Sequence, residues 1–316
     1  MKKTKILIFG IFLTLTLPAS ASFFQGVRKA ANKSLAYQGT RFFGYKANLL
    51  KAAKKGRRKE LEKLLKQEGK DPSKVKTKMG RNPLHLASGS GHTASVALLR
   101  KTYPVNGVDN FWDTPLHRAC ERGRLGVVLE LLKDEKTKIN KPDDDEKTPL
   151  IVACFDGNYD VAATLIHAGA DLDSMDINDN TPLSISLNNG HYDIAELLLN
   201  EGAAVQKNGP WGYGILHSAI SAPLELLNRL VESGAAVEGT DCLGNTVLSE
   251  AIVCNQHATV KFLLSKGASL VKPNFFGETP LQKALSKNDP EMLLIIEPYA
   301  YKEIAEEIKE SFLSKK

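Results

Sequence analysis

Histidines, cysteines, clustered carboxylates and paired aromatics are the residues of this chain whose types and spacing bear on chemistry. Three of the seven histidines, His85, His117 and His217, directly follow Leu84, Leu116 and Leu216. Recurrence at one phase favours a role in the fold over a metal site. No His-x-x-x-His or Cys-x-x-Cys pair occurs, so zinc has no local ligand set. Asp143, Asp144, Asp145 and Glu146 form one acidic connection, and Asp171, Asp173, Asp176 and Asp179 another. Either could hold a weak calcium ion. Neither has the roughly twelve-residue loop and closing Glu of a dedicated site, so both read as solvated turns. No nucleophile elbow, phosphate loop or catalytic carboxylate pair is visible, and the expectation is a chain that is not an enzyme and takes no cofactor.

The aromatics are more specific. Phe111-Trp112, Trp211 with Tyr213, and Phe275-Phe276 all stand just before a Thr-Pro-Leu-like tripeptide. Two explanations fit them: packing against a neighbouring connection, or contact with a partner, where Trp and Tyr concentrate binding energy.

The elements that position these residues follow from self-similarity. Leu84, Leu116, Leu150, Leu183, Leu216, Leu248 and Leu281 recur at spacings of 32, 34, 33, 33, 32 and 33, and Leu49 begins a degenerate copy. Thr114, Thr148, Thr181 and Thr279 suit a helix N-cap, and the proline after each suits the first helical position. Three residues after each leucine comes a small side chain, as at Ala87, Ala119 and Ser186, which lets helices approach closely. Seven residues after each leucine comes a turn former: Gly in the first five units, then Pro223, Asn255 and Asn288. A second apolar helix then ends at Gly-Ala, as at Gly169-Ala170 and Gly202-Ala203.

A period near 33 with a Thr-Pro-Leu-His-x-Ala core resembles the ankyrin-repeat family over residues 46–296, in eight units starting near 46, 80, 112, 146, 179, 212, 244 and 277. The resemblance implies an all-α repeat solenoid: paired antiparallel helices per unit, with β-hairpin-like fingers along one edge. It implies recognition of another protein through the fingers and the inner, concave helices. It also implies that the recurring His bonds backbone across the boundary between layers. The paired aromatics fall on fingers. Four residues before the leucine the family usually has a turn glycine; Gly80, Gly212, Gly244 and Gly277 keep it, and Trp112 replaces it.

The register also bears on the cysteines. Cys120 and Cys154 occupy the same position in consecutive units. Stacked helices sit about 8–10 Å apart, whereas a disulfide needs Cα atoms within about 7 Å. Cys242 falls in a finger and Cys254 closes the following helix, on the order of 13 Å away. All four read as reduced. Departures from the repeat mark the first unit as a lysine-rich N-terminal cap, unit six as the irregular one because of Pro223 and a deletion before Gly234, and residues 297–316 as a C-terminal capping helix. Residues 22–45 carry aromatics but no repeat and read as an arm or a packed helix.

The chain begins with Lys2, Lys3 and Lys5, an apolar run from Ile6 to Pro18, and Ala19-Ser20-Ala21. That order is the layout of a secretory signal peptide over residues 1–21, cleaved after Ala21, and it predicts a periplasmic or secreted protein. Charge is polarised. Residues 22–80 hold 17 Lys+Arg against 4 Asp+Glu, while 81–316 hold 22 against 32. The expected partner is another protein bound by a monomer. The alternative is an anionic surface, membrane or nucleic acid, met by the basic residues 22–80. No small-molecule substrate is implied.

Overall fold

The computed structural model describes residues 44–205 and 214–313, with side chains through residue 302. The expected leader, the segment 22–43, and Trp211 and Tyr213 lie outside the described residues.

Each unit is a pair of short helices. The first helices run over 44–54, Pro83–Gly89, Pro115–Glu121, Pro149–Phe155, Pro182–Asn188, Ile215–Ser218, Val247–Val253 and Pro280–Lys287. The second run over Arg58–Leu65, Thr93–Leu99, Leu125–Leu132, Tyr159–His167, Tyr192–Asn200, Leu224–Glu232, His257–Ser265 and Pro290–Leu313. Their starts follow from local chemistry. The side chains of Asn82, Thr114, Thr148, Thr181, Thr246 and Thr279 each accept a hydrogen bond from the amide three residues on. This satisfies one of the orphan donors of a helix N-terminus and contributes about 1 kcal/mol per cap. The turn between the helices is left-handed at Gly91, Gly123, Gly157 and Gly190, and at Asn255 and Asn288. Unit six differs as its proline requires. Pro223 sits at φ −54° as the N-cap of the second helix, and the first helix shortens to four residues.

Stacking buries the repeat. The leucines at 49, 84, 116, 150, 183, 216 and 248 are all buried, as are the small residues three positions later, from Ala52 to Ala284. They belong to one hydrophobic cluster running from Tyr45 to Ile296. Each layer therefore buries its apolar face against its neighbours rather than in a central core. In the last unit Leu281 is partly buried, while Leu285 and Leu294 are exposed.

The expected capping helix after residue 297 is not a separate element. One helix of 24 residues spans Pro290–Leu313 with Pro298 inside it. Proline removes the bond to the carbonyl of Leu294. Leu294 lies on the exposed face, where water can satisfy that carbonyl, so the helix continues. Among the described residues, no helix is long and apolar enough to cross a membrane.

Candidate functional site

The fingers connect the second helix of one unit to the first helix of the next, and in five of the described fingers one side chain anchors the turn through two backbone amides. The Asp109 amide donates to the Asp113 carbonyl at 3.0 Å, closing the turn. Its carboxylate accepts from the amides of Phe111 at 2.9 Å and Asp113 at 3.2 Å. The same pair of bonds recurs at Asp143, Asp176, Asp241 and Asn274. All five stand seven residues before a repeat leucine. Asp143 and Asp176 are therefore turn anchors, and Asp176 is buried rather than solvated. Sequence reading missed this role, although the fixed phase carried the signal.

At the finger tip, the residue four before the leucine is left-handed in every described finger: Gly80, Trp112, Glu146, Asp179, Gly244 and Gly277. Only three of these six are glycines, so the turn enforces its conformation on Trp112, Glu146 and Asp179 against their preference. Trp112 is thereby held out from the surface, 59% exposed.

Backbone hydrogen bonds join neighbouring tips into a row. The amides of Asn110, Asp144, Ile177 and Phe275 donate to the carbonyls of Met79, Phe111, Asp145 and Leu243 in the preceding finger, at 3.0 to 3.2 Å. Phe275 also lies over the preceding tip; a Cβ added to Gly244 would meet its ring at 2.9 Å. Unit six has Gly209 at the anchor position and Pro210 at the donor position, and proline has no amide to donate.

Apolar side chains stand exposed on several of the described tips. Phe111 is 47% exposed, Phe275 78% and Phe276 72%. These rings are not core residues, even though Phe275 touches its neighbour. Trp211 and Tyr213, the other two finger aromatics singled out from sequence, lie outside the described residues. Met79, Ile177 and Leu243 are exposed on the same tips and were not anticipated. Met79, Phe111, Leu243 and Phe276 all stand five before a repeat leucine, so the pattern was readable once the phase was applied.

The histidines serve the stack. Nε2 of His85, His117 and His217 lies 3.0, 3.0 and 3.2 Å from the carbonyl oxygens of Asp113, Lys147 and Asn245 in the next unit. In His85 and His117, Nδ1 meets the capping side chain of Asn82 or Thr114 at 2.8 Å. Burial lowers both to about 4, so they are neutral near pH 7. No group of three metal-binding side chains occurs among the described residues. All four cysteines are free thiols; Cys120 and Cys154 are buried, and burial pushes the Cys154 thiol up to about 12.

A concavity of about 250 Å³ opens on the inner helices, lined by Lys54, Arg81, His85, Arg118 and Arg122 among others. Its guanidinium groups are already engaged. Arg81 holds Asp109 at 2.8 Å, Arg118 holds Asp113 at 3.4 Å and Arg122 holds Glu121 at 3.1 Å. Burial and the neighbouring Asp109 raise Asp113 to about 6. The three guanidinium groups of the pocket are thus paired with carboxylates, whereas the finger tips leave their apolar groups open.

Comparison with known proteins agrees with this architecture. The family model described as ankyrin repeats (3 copies) matches in overlapping windows, 49–143, 98–176, 126–209, 169–241 and 215–304. An ankyrin repeat domain-containing protein, SAT10, from Stachybotrys chartarum is 26% identical over 166 residues, 52% of this chain and 7% of that protein. Alpha-latrotoxin-Lg1a from Latrodectus geometricus is 37% identical over 94 residues, 29% of this chain and 7% of the toxin. Ankyrin repeat domain-containing protein 49 from Homo sapiens is 39% identical over 59 residues, 19% of this chain and 25% of that protein. The chain thus spans a small fraction of the length of these relatives. With the family model covering most of its length and the helix pairs, fingers and cross-layer histidines in place, the chain belongs to the ankyrin-repeat family.

Proposed function

We propose that this chain is an exported binding module that captures another protein along its row of finger tips. One observation carries the reading: large apolar side chains at Phe111, Trp112, Phe275 and Phe276 stand exposed on tips that backbone bonds tie to a neighbouring tip, the first pair within units two to five and the second within units seven and eight. Exposed aromatics on a preorganised frame are the usual ingredients of binding hot spots, because little side-chain entropy remains to be lost. Ankyrin repeats generally mediate protein–protein interaction. Export rests on residues 1–21, and sequencing of the secreted or periplasmic protein should then begin at Ser22.

The test is affinity capture from the source organism's own extracts with the mature chain, beside a variant carrying Phe111→Ala, Trp112→Ala and Phe276→Ala. A partner retained by the first and lost by the second, with the variant still folded, supports the reading. A partner retained equally by both places the binding face elsewhere.

A further inference from the structure

The concavity on the inner helices has a cause in the sequence. Its lining comes from three consecutive units, largely from the positions two, five and six after the repeat leucine. Units one and three carry long side chains there: Lys51, Lys54 and Lys55, then Arg118, Glu121 and Arg122. Unit two carries Leu86, Gly89 and Ser90. The two small residues leave a depression of about 250 Å³, walled by Lys54 from one layer and by Arg118 and Arg122 from the other.

The charge in this depression does not cancel. Lys54, Arg81, Arg118 and Arg122 line it, and the carboxylates that pair with the three arginines are Asp109, Asp113 and Glu121. Asp109 also holds the finger turn, accepting from two amides. Glu121 is shared between Arg118 and Arg122. Arg122 is paired through Nε and its side chain stays 55% exposed. A guanidinium has five N–H donors, so one pairing leaves most of them for a ligand. Lys54 is exposed and forms no ion pair among the described residues, and the same holds for Lys51 and Lys55 beside it.

We infer that this pocket takes a carboxylate side chain from an acidic segment of a protein partner. Gly89 and Ser90 supply the room, and Lys54 and Arg122 supply charge-assisted hydrogen bonds. Lys51 and Lys55 add positive potential on the same face and draw the acidic segment in. A nucleic acid is the poorer fit. It needs a continuous basic track, with aromatic side chains on which bases stack. Here Asp113 and Glu121 interrupt the cations, and no Phe, Tyr or Trp is in the lining. The next layer places Asp156 at the position of Ser90 and Arg122, which ends the basic strip. This site is separate from the finger-tip aromatics, and either surface can fail without the other.

Short labelled peptides test this against the full chain by fluorescence anisotropy. The probe carries consecutive Glu residues between Gly and Ser, and the control has Gln in place of each Glu. The probe should bind at least about tenfold more tightly than the control, and its affinity should fall as salt is raised. Ser90→Glu fills the depression with a carboxylate of the chain's own and should weaken the probe at least about tenfold. Arg122→Gln, at a half-exposed side chain, leaves the fold intact and should weaken it by about threefold or more. Lys63→Gln changes the net charge as much as Ser90→Glu does, but on the second helix of unit one, and should matter by less than about twofold. Phe111→Ala with Trp112→Ala should leave probe affinity unchanged, which separates this site from the finger-tip reading. If probe and control bind alike, or neither binds, the inference is wrong. If Lys63→Gln weakens the probe as much as Ser90→Glu and Arg122→Gln do, overall charge and not the pocket holds it, and the inference is equally wrong. A single-stranded oligonucleotide that binds more tightly than the probe and is blocked by Ser90→Glu would overturn the protein-partner class.

Discussion

His117 Nε2 lies 3.0 Å from the carbonyl oxygen of Lys147, so the first helix of unit three is tied to the finger of unit four by one imidazole. His85 makes the equivalent tie one layer earlier. Both rings are held neutral by burial, at about 4 against an ordinary value of 6.5. A histidine whose folded value is depressed makes no pH-dependent contribution above the unfolded value. Below pH 6.5 the unfolded state takes up a proton that the folded state refuses, so stability falls until about pH 4. Asp113, raised to about 6, works in the opposite direction between about pH 6 and pH 4 and offsets part of the loss.

The variant His117→Gln isolates this effect. At pH 7.5 it should be less stable than the parent by about 1–2 kcal/mol, because the cross-layer bond is lost. Between pH 6.5 and 4 the parent should lose up to about 3 kcal/mol that the variant does not, so the gap closes or reverses. Urea denaturation at pH 7.5 and 4.5 measures it. A gap unchanged between the two pH values would contradict the assignment.

Backbone strain at the finger tips gives opposite predictions for equivalent positions. Glu146 occupies the left-handed position at φ 61° that Gly80, Gly244 and Gly277 fill elsewhere. Glu146→Gly should leave stability unchanged or raise it by up to about 1 kcal/mol, relief of the left-handed strain being partly offset by glycine's greater freedom when unfolded. Gly80→Ala should destabilise by more than about 1 kcal/mol, since a Cβ there would sit 2.9 Å from the Asn110 backbone nitrogen. Thermal melts of the two variants should move in different directions or by clearly different amounts.

Unit six should open first. Its leading helix covers only Ile215–Ser218, Pro223 replaces the left-handed turn residue, and Pro210 falls where other fingers donate to their neighbour. Stability in a repeat array is carried by nearest neighbours, so a weak layer divides it into two blocks. Hydrogen exchange over residues 215–235 should be faster than in units four and five. Even protection across units four to seven would contradict this.

Much of this was legible in the sequence because the repeat fixes phase. Leu183 and its equivalents, the capping threonines and the cross-layer histidines each do one job at one position, and repetition averages out local ambiguity. What escaped reading has physical causes. Asp143 and Asp176 read as solvated turn acids because an anchoring carboxylate and a solvated one are the same residue type; only the amides around them distinguish the two. Glu146 and Asp179 were not recognised as left-handed because glycine is the signal for that conformation and neither carries it. Pro298 suggested a helix boundary, but its missing bond falls on an exposed face where water can replace it.

The central claim is that the finger aromatics are for binding and the repeat leucines are for folding, and the paired measurement of stability and partner affinity on Phe276→Ala and Leu183→Ala tests it most directly. Leu183 is fully buried and Phe276 is 72% exposed. Leu183→Ala should cost about 2–5 kcal/mol of stability, whereas Phe276→Ala should cost less than about 0.5–1 kcal/mol and yet weaken binding by about 1–2 kcal/mol. If Phe276→Ala unfolds the chain as severely as Leu183→Ala, or leaves partner affinity unchanged, the finger row is not the binding face.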